Sequence, residues 1–304
     1  MATNQKNAKR SIFKLKDKYQ YWGILFISPW IIGFLVLQLY PLLSSLRLSF
    51  TNYKLLSEYK YIGLDNYIYM FTGDYNFLNS LIVTLISVLI RVPLRLLVAL
   101  LIALLLNRKL KGVGIYRTAL YLPSIFGGSV AISVVWRFLF MREGVVNQFT
   151  SLFGIPPVDW LGNTTTALFI VSLVGVWQFG ASMVIFLAGL KQVPNELYEA
   201  AKIDGANSIQ RFFRITFPQI SPVMLFNLLM QSINALQEFT TPFVITKGGP
   251  AKSTYLFSML IYDNGFKYTK MGYASALSWF MFLIILVMTV LIFESSKRWV
   301  HYNE

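Results

Sequence analysis

The 304 residues carry 27 Lys and Arg against 13 Asp and Glu, with a single His, for a net charge of +14. Hydrophobic types make up 56% of the chain and charged types 13%, with a mean hydropathy of +0.56, which excludes an ordinary soluble domain. Cys is absent, which excludes a disulfide framework and thiolate or Cys-based metal chemistry.

Residues 1–21 are polar and basic, carrying Lys6, Lys9, Arg10, Lys14, Lys16 and Lys18. The apolar run that follows, about 23–43, is too long for a signal-peptide core and lacks an A-x-A cleavage site, so it is read as an uncleaved first span. Residues 44–78 are polar and aromatic without a strong period. Further apolar runs occupy about 79–106, 116–140, 166–190, 221–245 and 271–293. A short basic turn, 107–115, separates the second and third runs. Residues 141–165, with Pro156-Pro157, Gly154 and Gly162, read as a loop, as do residues 246–270 with Gly248-Gly249-Pro250. The expected architecture is all-α and integral to the membrane: a cytoplasmic tail (1–21), then a six-helix domain (22–304).

Charge bias sets the expected orientation. With both termini inside, sixteen Lys and Arg fall in the inner segments against nine in the outer ones, as the positive-inside rule demands. The basic surplus is therefore assigned to the membrane surface, and no nucleic-acid partner is expected. His301, the single histidine, lies in the tail and reads as solvated. No G-x-x-x-x-G-K-[ST] sequence occurs, so the chain is not expected to bind ATP or any other cofactor itself.

The segment between the fourth and fifth runs, residues 191–220, differs from everything around it. Pro194 suits a first helical turn, residues 195–203 are good helix formers, and Asp204-Gly205 offers a left-handed stop. Asn207 or Ser208 then caps a second short helix, about 209–216, closed by Pro218. Leu197, Ala200, Ala201 and Phe212/Phe213 make one face apolar with small residues at its centre, while Glu196, Glu199 and Asp204 offer acceptors to a basic groove. Such a segment is either a well-capped loop or a docking knob.

Glu199-Ala200-Ala201, Gly205, Ile215 and Phe217-Pro218 resemble the EAA signature of permease subunits of binding-protein-dependent ABC importers. Phe217 departs from it where Leu is usual. Gly248-Gly249-Pro250, the stretch Met271 to Ala276, Leu106-Asn107-Arg108 and Tyr116-Arg117 resemble the carbohydrate branch of that family. The resemblance runs from about Trp22 to Tyr302. It implies the type I importer fold, a peripheral first helix plus a five-helix core, in a bacterial cytoplasmic membrane. It also implies partners: a second homologous permease, two ATPase subunits that bind ATP and Mg, and an extracytoplasmic solute-binding protein that delivers a sugar. Glu196, Glu199, Ala200, Ala201, Asp204, Gly205, Ile215 and Pro218 would then form the ATPase-coupling loop, and the chain itself would be no enzyme.

Polar residues inside the apolar runs are the remaining signal. Arg91 and Arg95 share one helix face about 18 Å from the helix start, near the bilayer midplane, where unpaired charge costs several kcal/mol. They either attract an anionic solute such as a uronate or phosphate, or are held structurally by carbonyls beside Pro93 or by a carboxylate of a partner subunit. In the fifth run Gln231, Asn234 and Glu238 follow a 3–4 spacing and face away from lipid. The fourth run adds Trp177, Gln178, Phe179 and Ser182. Amides and aromatic faces suit a sugar, although Asn and Gln also bond helices together. In the resembling family, sugar contacts come from these two regions. A self-contained secondary transporter would favour repeats, broken helices and midplane carboxylates, but no convincing repeat occurs and Glu238 is the only acidic residue well inside a run; a membrane enzyme would need an intramembrane nucleophile or metal motif, which the sequence lacks.

Overall fold

The computed structural model describes residues 19–55, 57–108 and 111–301, so the basic residues 1–18, Lys109 and Tyr302 lie outside them. Helix α1 (Tyr19–Phe34) passes through a π turn (Leu35–Leu39) into α2 (Tyr40–Ser49). α3 (Asp65–Thr72) precedes the longest helix, α4 (Phe77–Leu106). α5 (Val113–Ile125), α6 (Val130–Phe140) and α7 (Val145–Ser151) follow, then α8 (Thr164–Trp177) and α9 (Gly180–Gln192). α10 (Asn195–Ile203) and α11 (Ser208–Arg211) lead through a π turn (Phe212–Thr216) into α12 (Phe217–Leu236). α13 (Thr240–Ile245), α14 (Phe257–Tyr262) with a π turn (Asp263–Lys267), and α15 (Met271–Ser296) complete the chain. No β-strand forms among the described residues, only one isolated bridge between Thr51 and Tyr61.

The apolar runs become helices because lipid cannot satisfy an open backbone, yet several runs are not single helices. The run 116–140 breaks between α5 and α6, with a 96° bend where Gly127 and Gly128 lie. The run 166–190 bends by 46° between α8 and α9. The run 221–245 breaks after Leu236 and restarts at Thr240. Among the described residues three helices are long and apolar enough to cross a membrane alone, and up to five spans result if each bent pair counts as one. α12 is not in that set; Gln219, Asn227, Gln231 and Asn234 lower its hydropathy.

Pro218 does not close the second short helix. The chain stays helical from Ser208 to Leu236, and the Phe217 N–H donates to the Phe212 carbonyl across the π turn. Pro41 follows the first π turn in the same way. A proline ring clashes with the carbonyl one turn earlier; a wider i→i+5 turn ending just before it relieves that clash without ending the helix.

α4 lies at the centre, against α8, α9 and α12. Met183, Phe186, Ile220, Leu236, Phe257 and Leu277 are fully buried around it, and Ala99 and Ala103 on α4 join the same cluster. Small residues one turn apart permit close helix approach where lipid supplies no hydrophobic drive. α1 and the π turn after it stand apart: Phe26, Trp30 and Leu37 are exposed, as a lipid-facing or partner-facing helix requires. α2 docks on α15, where Trp279 Nε1 donates to Ser45 Oγ at 3.1 Å.

The two ends of the bundle differ. At one end the start of α15 joins the preceding loops: Gly272 N donates to the Tyr53 carbonyl at 2.9 Å, and Tyr273 Oη donates to Asp74 at 2.7 Å. α15 then runs 26 residues, about 39 Å at 1.5 Å per residue, to the other end. There His301 N donates to Ser221 Oγ at 2.9 Å, beside the start of α12. The α10–α11 segment lies at this second end.

The bend between α8 and α9 leaves backbone groups that a straight helix would pair. Ser124 satisfies both sides: its hydroxyl donates to the Gln178 carbonyl at 2.9 Å and accepts from Ala181 N at 3.0 Å. Replacing Ser124 with Ala orphans a donor and an acceptor, at a cost of about 1–3 kcal/mol. We expect a lower melting temperature for the detergent-solubilised Ser124→Ala protein, and Ser124→Thr to recover most of the loss.

Candidate functional site

The breaks in the three interrupted runs converge on one place. Ser124, Gly127 and Gly128 from the first, Gln178 from the second, and Gln237, Glu238, Phe239 and Thr240 from the third line a cavity of about 420 Å³ with Asn234, Arg91 and Arg95. Non-helical backbone at membrane depth is tolerated where it lines such a cavity. Arg91 falls at the middle of the thirty-residue α4. Around it, Ser80, Thr84, Ser87, Arg91 and Arg95 form one buried polar stripe at helical spacing. Thr84 Oγ1 accepts from Phe257 N at 2.8 Å, and Ser87 meets Ser172 at 3.4 Å.

Arg91 and Glu238 form an ion pair at 2.5 Å, with side chains only 8% and 11% exposed. The carboxylate is this chain's own, 147 residues away, rather than a carbonyl beside Pro93 or a partner's acid. Glu238 also accepts from Thr241 N at 3.1 Å through its other oxygen, and its backbone carbonyl accepts from Ser258 Oγ. One side chain thus ties α4 to the break before α13. Gly175 on α8 makes the space: a Cβ there would overlap the Arg91 side chain at Cδ, Nε and Cζ. Arg95, 9% exposed, has no ion pair among the described residues, and its Nε has no hydrogen-bond partner.

The other sequence-derived candidates divide. Gln178, Asn234 and Glu238 line the cavity. Trp177 packs edge-on against Trp136 at 5.9 Å, and Phe179 packs on the core. Ser182 and Gln231 are buried outside the cavity lining. Ser124 and Gln237 were not singled out by sequence reasoning. Gln237 was within reach, since it directly precedes Glu238 of the polar stripe in the fifth run, but Ser124 enters the site only through the fold.

The segment α10–α11 forms a second candidate site. Gly205 has φ +75°, the left-handed conformation that a β-carbon disfavours, and Ala206 N closes on the Ala201 carbonyl at 2.9 Å. Asn207 and Gln210 form a reciprocal capping box. Tyr198 Oη meets Thr216 Oγ1 at 2.9 Å and holds α10 against the helix that follows. Glu196, Glu199, Ala200 and Asp204 are exposed, Ala201, Ile215 and Pro218 half-buried. Ile203 and Ile209 are 87% and 70% exposed on either side of Gly205. Two isoleucines left open on a rigid turn make a surface suited to a partner.

At the opposite end, a larger cavity of about 660 Å³ is lined by Lys247, Lys252, Lys267 and Lys270 with Asp74 and Asp263. Both carboxylates accept from phenols, Asp263 from Tyr255 at 2.7 Å and Asp74 from Tyr273. Burial, then the bond to Asp263, raises the Tyr255 phenol above its ordinary pKa, so it stays a neutral donor.

A bundle with broken helices around a polar cavity and a protruding capped turn is the architecture of a transport permease. Residues 70–301 match the family of binding-protein-dependent transport system inner membrane components, and the chain belongs to it. It is thus a multi-pass membrane component of a transporter, not a catalyst. It is 50% identical over 284 residues to the probable ABC transporter permease protein YesP of Bacillus subtilis (strain 168), covering 92% of each chain. To the arabinooligosaccharides transport system permease protein AraP of the same organism it is 34% identical over 292 residues, covering 94% of this chain and 91% of AraP. Its fold is that of a chain from a bacterial ABC transporter involved in the import of the acidic polysaccharide alginate. There the TM-score is 0.76 at 24% identity, over 95% of this chain and 99% of the other.

Removing one member of the Arg91–Glu238 pair leaves the other charge buried alone, at about 3–5 kcal/mol. Glu238→Gln should therefore lower the melting temperature of the purified protein sharply. Gly175→Val should do the same by expelling the Arg91 side chain. An unchanged melting temperature in both variants would show that the pair does not hold α4 to the α12–α13 break.

Proposed function

We propose that the chain is a permease subunit of an ATP-driven sugar importer of the bacterial cytoplasmic membrane. It has six spans, both termini inside, and bends in the third, fourth and fifth spans. With a second homologous permease it encloses the pathway. An extracytoplasmic solute-binding protein delivers an oligosaccharide, and two ATPase subunits carrying ATP and Mg drive the cycle. AraP, named for arabinooligosaccharides, supports the sugar class.

The observation that carries this reading is the exposed turn around Gly205, joined without a break to the wall of the central cavity. Glu196, Glu199 and Asp204 face a basic groove of the ATPase, with Ile203 and Ile209 filling apolar pockets beside it. The cavity residues Gln178, Asn234 and Gln237 offer amides to sugar hydroxyls. The lysine-lined cavity at the opposite end faces the binding protein. An ATPase stroke is transmitted only if docking energy differs between the inward- and outward-facing states, which a stiff, well-capped turn favours.

Two sets of variants test this. Gly205→Val strains a left-handed position by roughly 1 kcal/mol or more, and Glu199→Lys sets a like charge against a basic partner. Both should lower ATPase recovery in a pull-down and lower uptake together, while the permease pair still assembles; full recovery with normal uptake would remove the docking role. Gln178→Ala and Asn234→Ala should each weaken uptake severalfold to about tenfold, the worth of one neutral hydrogen bond. Parental uptake in both would move the pathway elsewhere.

A further inference from the structure

The geometry points to a solute that carries a carboxylate, a uronate-bearing glycan, with Arg95 as the residue that selects it. This rests on the sugar-importer reading above and narrows it.

The cavity is lined by two guanidinium groups and one carboxylate. Both oxygens of Glu238 are engaged: one meets Arg91 at 2.5 Å and the other accepts from Thr241 N. Arg91 is therefore neutralised and braced, and one positive charge is left over. Arg95 holds that charge one helical turn away on the same face of α4, nine-tenths buried, with no acid and no carbonyl bonded to it among the described residues. A buried guanidinium without a partner at mid-membrane costs several kcal/mol unless water or an anion meets it, so a neutral pathway gains nothing by keeping it. The planar fork of Arg matches a carboxylate with two parallel hydrogen bonds. A sugar carboxylate against Arg95 would leave its ring hydroxyls among Gln178, Asn234 and Gln237, amides that read hydroxyls and not charge. Arg91 is excluded from the role because any solute would have to displace Glu238 to reach it.

The rival is a carboxylate of the second permease that closes on Arg95 in the assembled complex. The two differ in what the charge controls: selectivity between solutes in one case, assembly in the other.

The test uses the complete transporter with its own binding protein, reconstituted in proteoliposomes. Uptake is compared for uronate-bearing oligosaccharides and for their carboxyl-reduced, neutral counterparts. The parent should favour the acidic members. Arg95→Gln should reduce the acidic-to-neutral uptake ratio by roughly tenfold to a hundredfold, the worth of a charged hydrogen bond, and Arg95→Lys, which keeps the charge but not the fork, should retain part of the preference. If the parent imports only the neutral members, or if Arg95→Gln lowers both classes alike, the inference is overturned while sugar import stands. Loss of complex assembly in Arg95→Gln, with rescue by Arg95→Lys for every solute equally, overturns it in favour of the partner carboxylate. If the parent imports neither class, the sugar reading itself falls and takes this inference with it.

Discussion

The Arg91–Glu238 pair is the interaction around which the rest of the bundle is arranged. It joins the midpoint of the central helix to the break before α13, and it lets a helix carrying two arginines stay in the membrane at all. A single arginine at that depth would demand water, a bilayer defect or a partner. Here the partner is a carboxylate whose own remaining oxygen caps a backbone N–H, so the pair is satisfied on both sides. The cost of desolvating both ions means the pair adds little net stability over an apolar replacement of the same shape. What it supplies is position: α4, α8 through Gly175, and the α12–α13 break are held in one register around the cavity.

Much of this was legible in the sequence, but unevenly. The α10–α11 segment was readable because its signals are local: Asp204-Gly205 stops one helix, and Asn207 caps the next. The existence of the apolar runs was readable because lipid imposes a length. The helix breaks were not: Trp177-Gln178-Phe179 continues an apolar run in composition, and only the fold reveals that Ser124 pays the hydrogen bonds of the bend. Pro218 misled for the opposite reason. As a local signal it ends a helix, yet a π turn absorbs it, and no residue type announces a π turn. The partner of Arg91 lies 147 residues away, beyond any periodicity.

The absorbed proline matters mechanically. Had Pro218 ended the short helix, the turn around Gly205 would connect to the cavity through a flexible joint. Instead a helix runs unbroken from Ser208 to Leu236, and the next residues are the cavity-lining Gln237 and Glu238. Its 29 residues span about 43 Å at 1.5 Å each, from the capped turn to the cavity. A displacement of the turn therefore reaches Glu238 as movement of one rod. At Glu238 that rod meets the Arg91–Glu238 ion pair, whose geometry tolerates little stretch before a buried charge is stranded. A stiff input at one end and a short-range charge pair at the other make the cavity wall responsive to what happens at the turn. The same rod carries Asn234 one turn before Glu238, so the amides that face the cavity move with it, while Arg95 stays on α4. Movement of α12 against α4 thus changes the distance between the group suited to a carboxylate and the groups suited to hydroxyls. A site built across two such elements holds a solute only while they are in register, which is the physical requirement for binding on one side and release on the other.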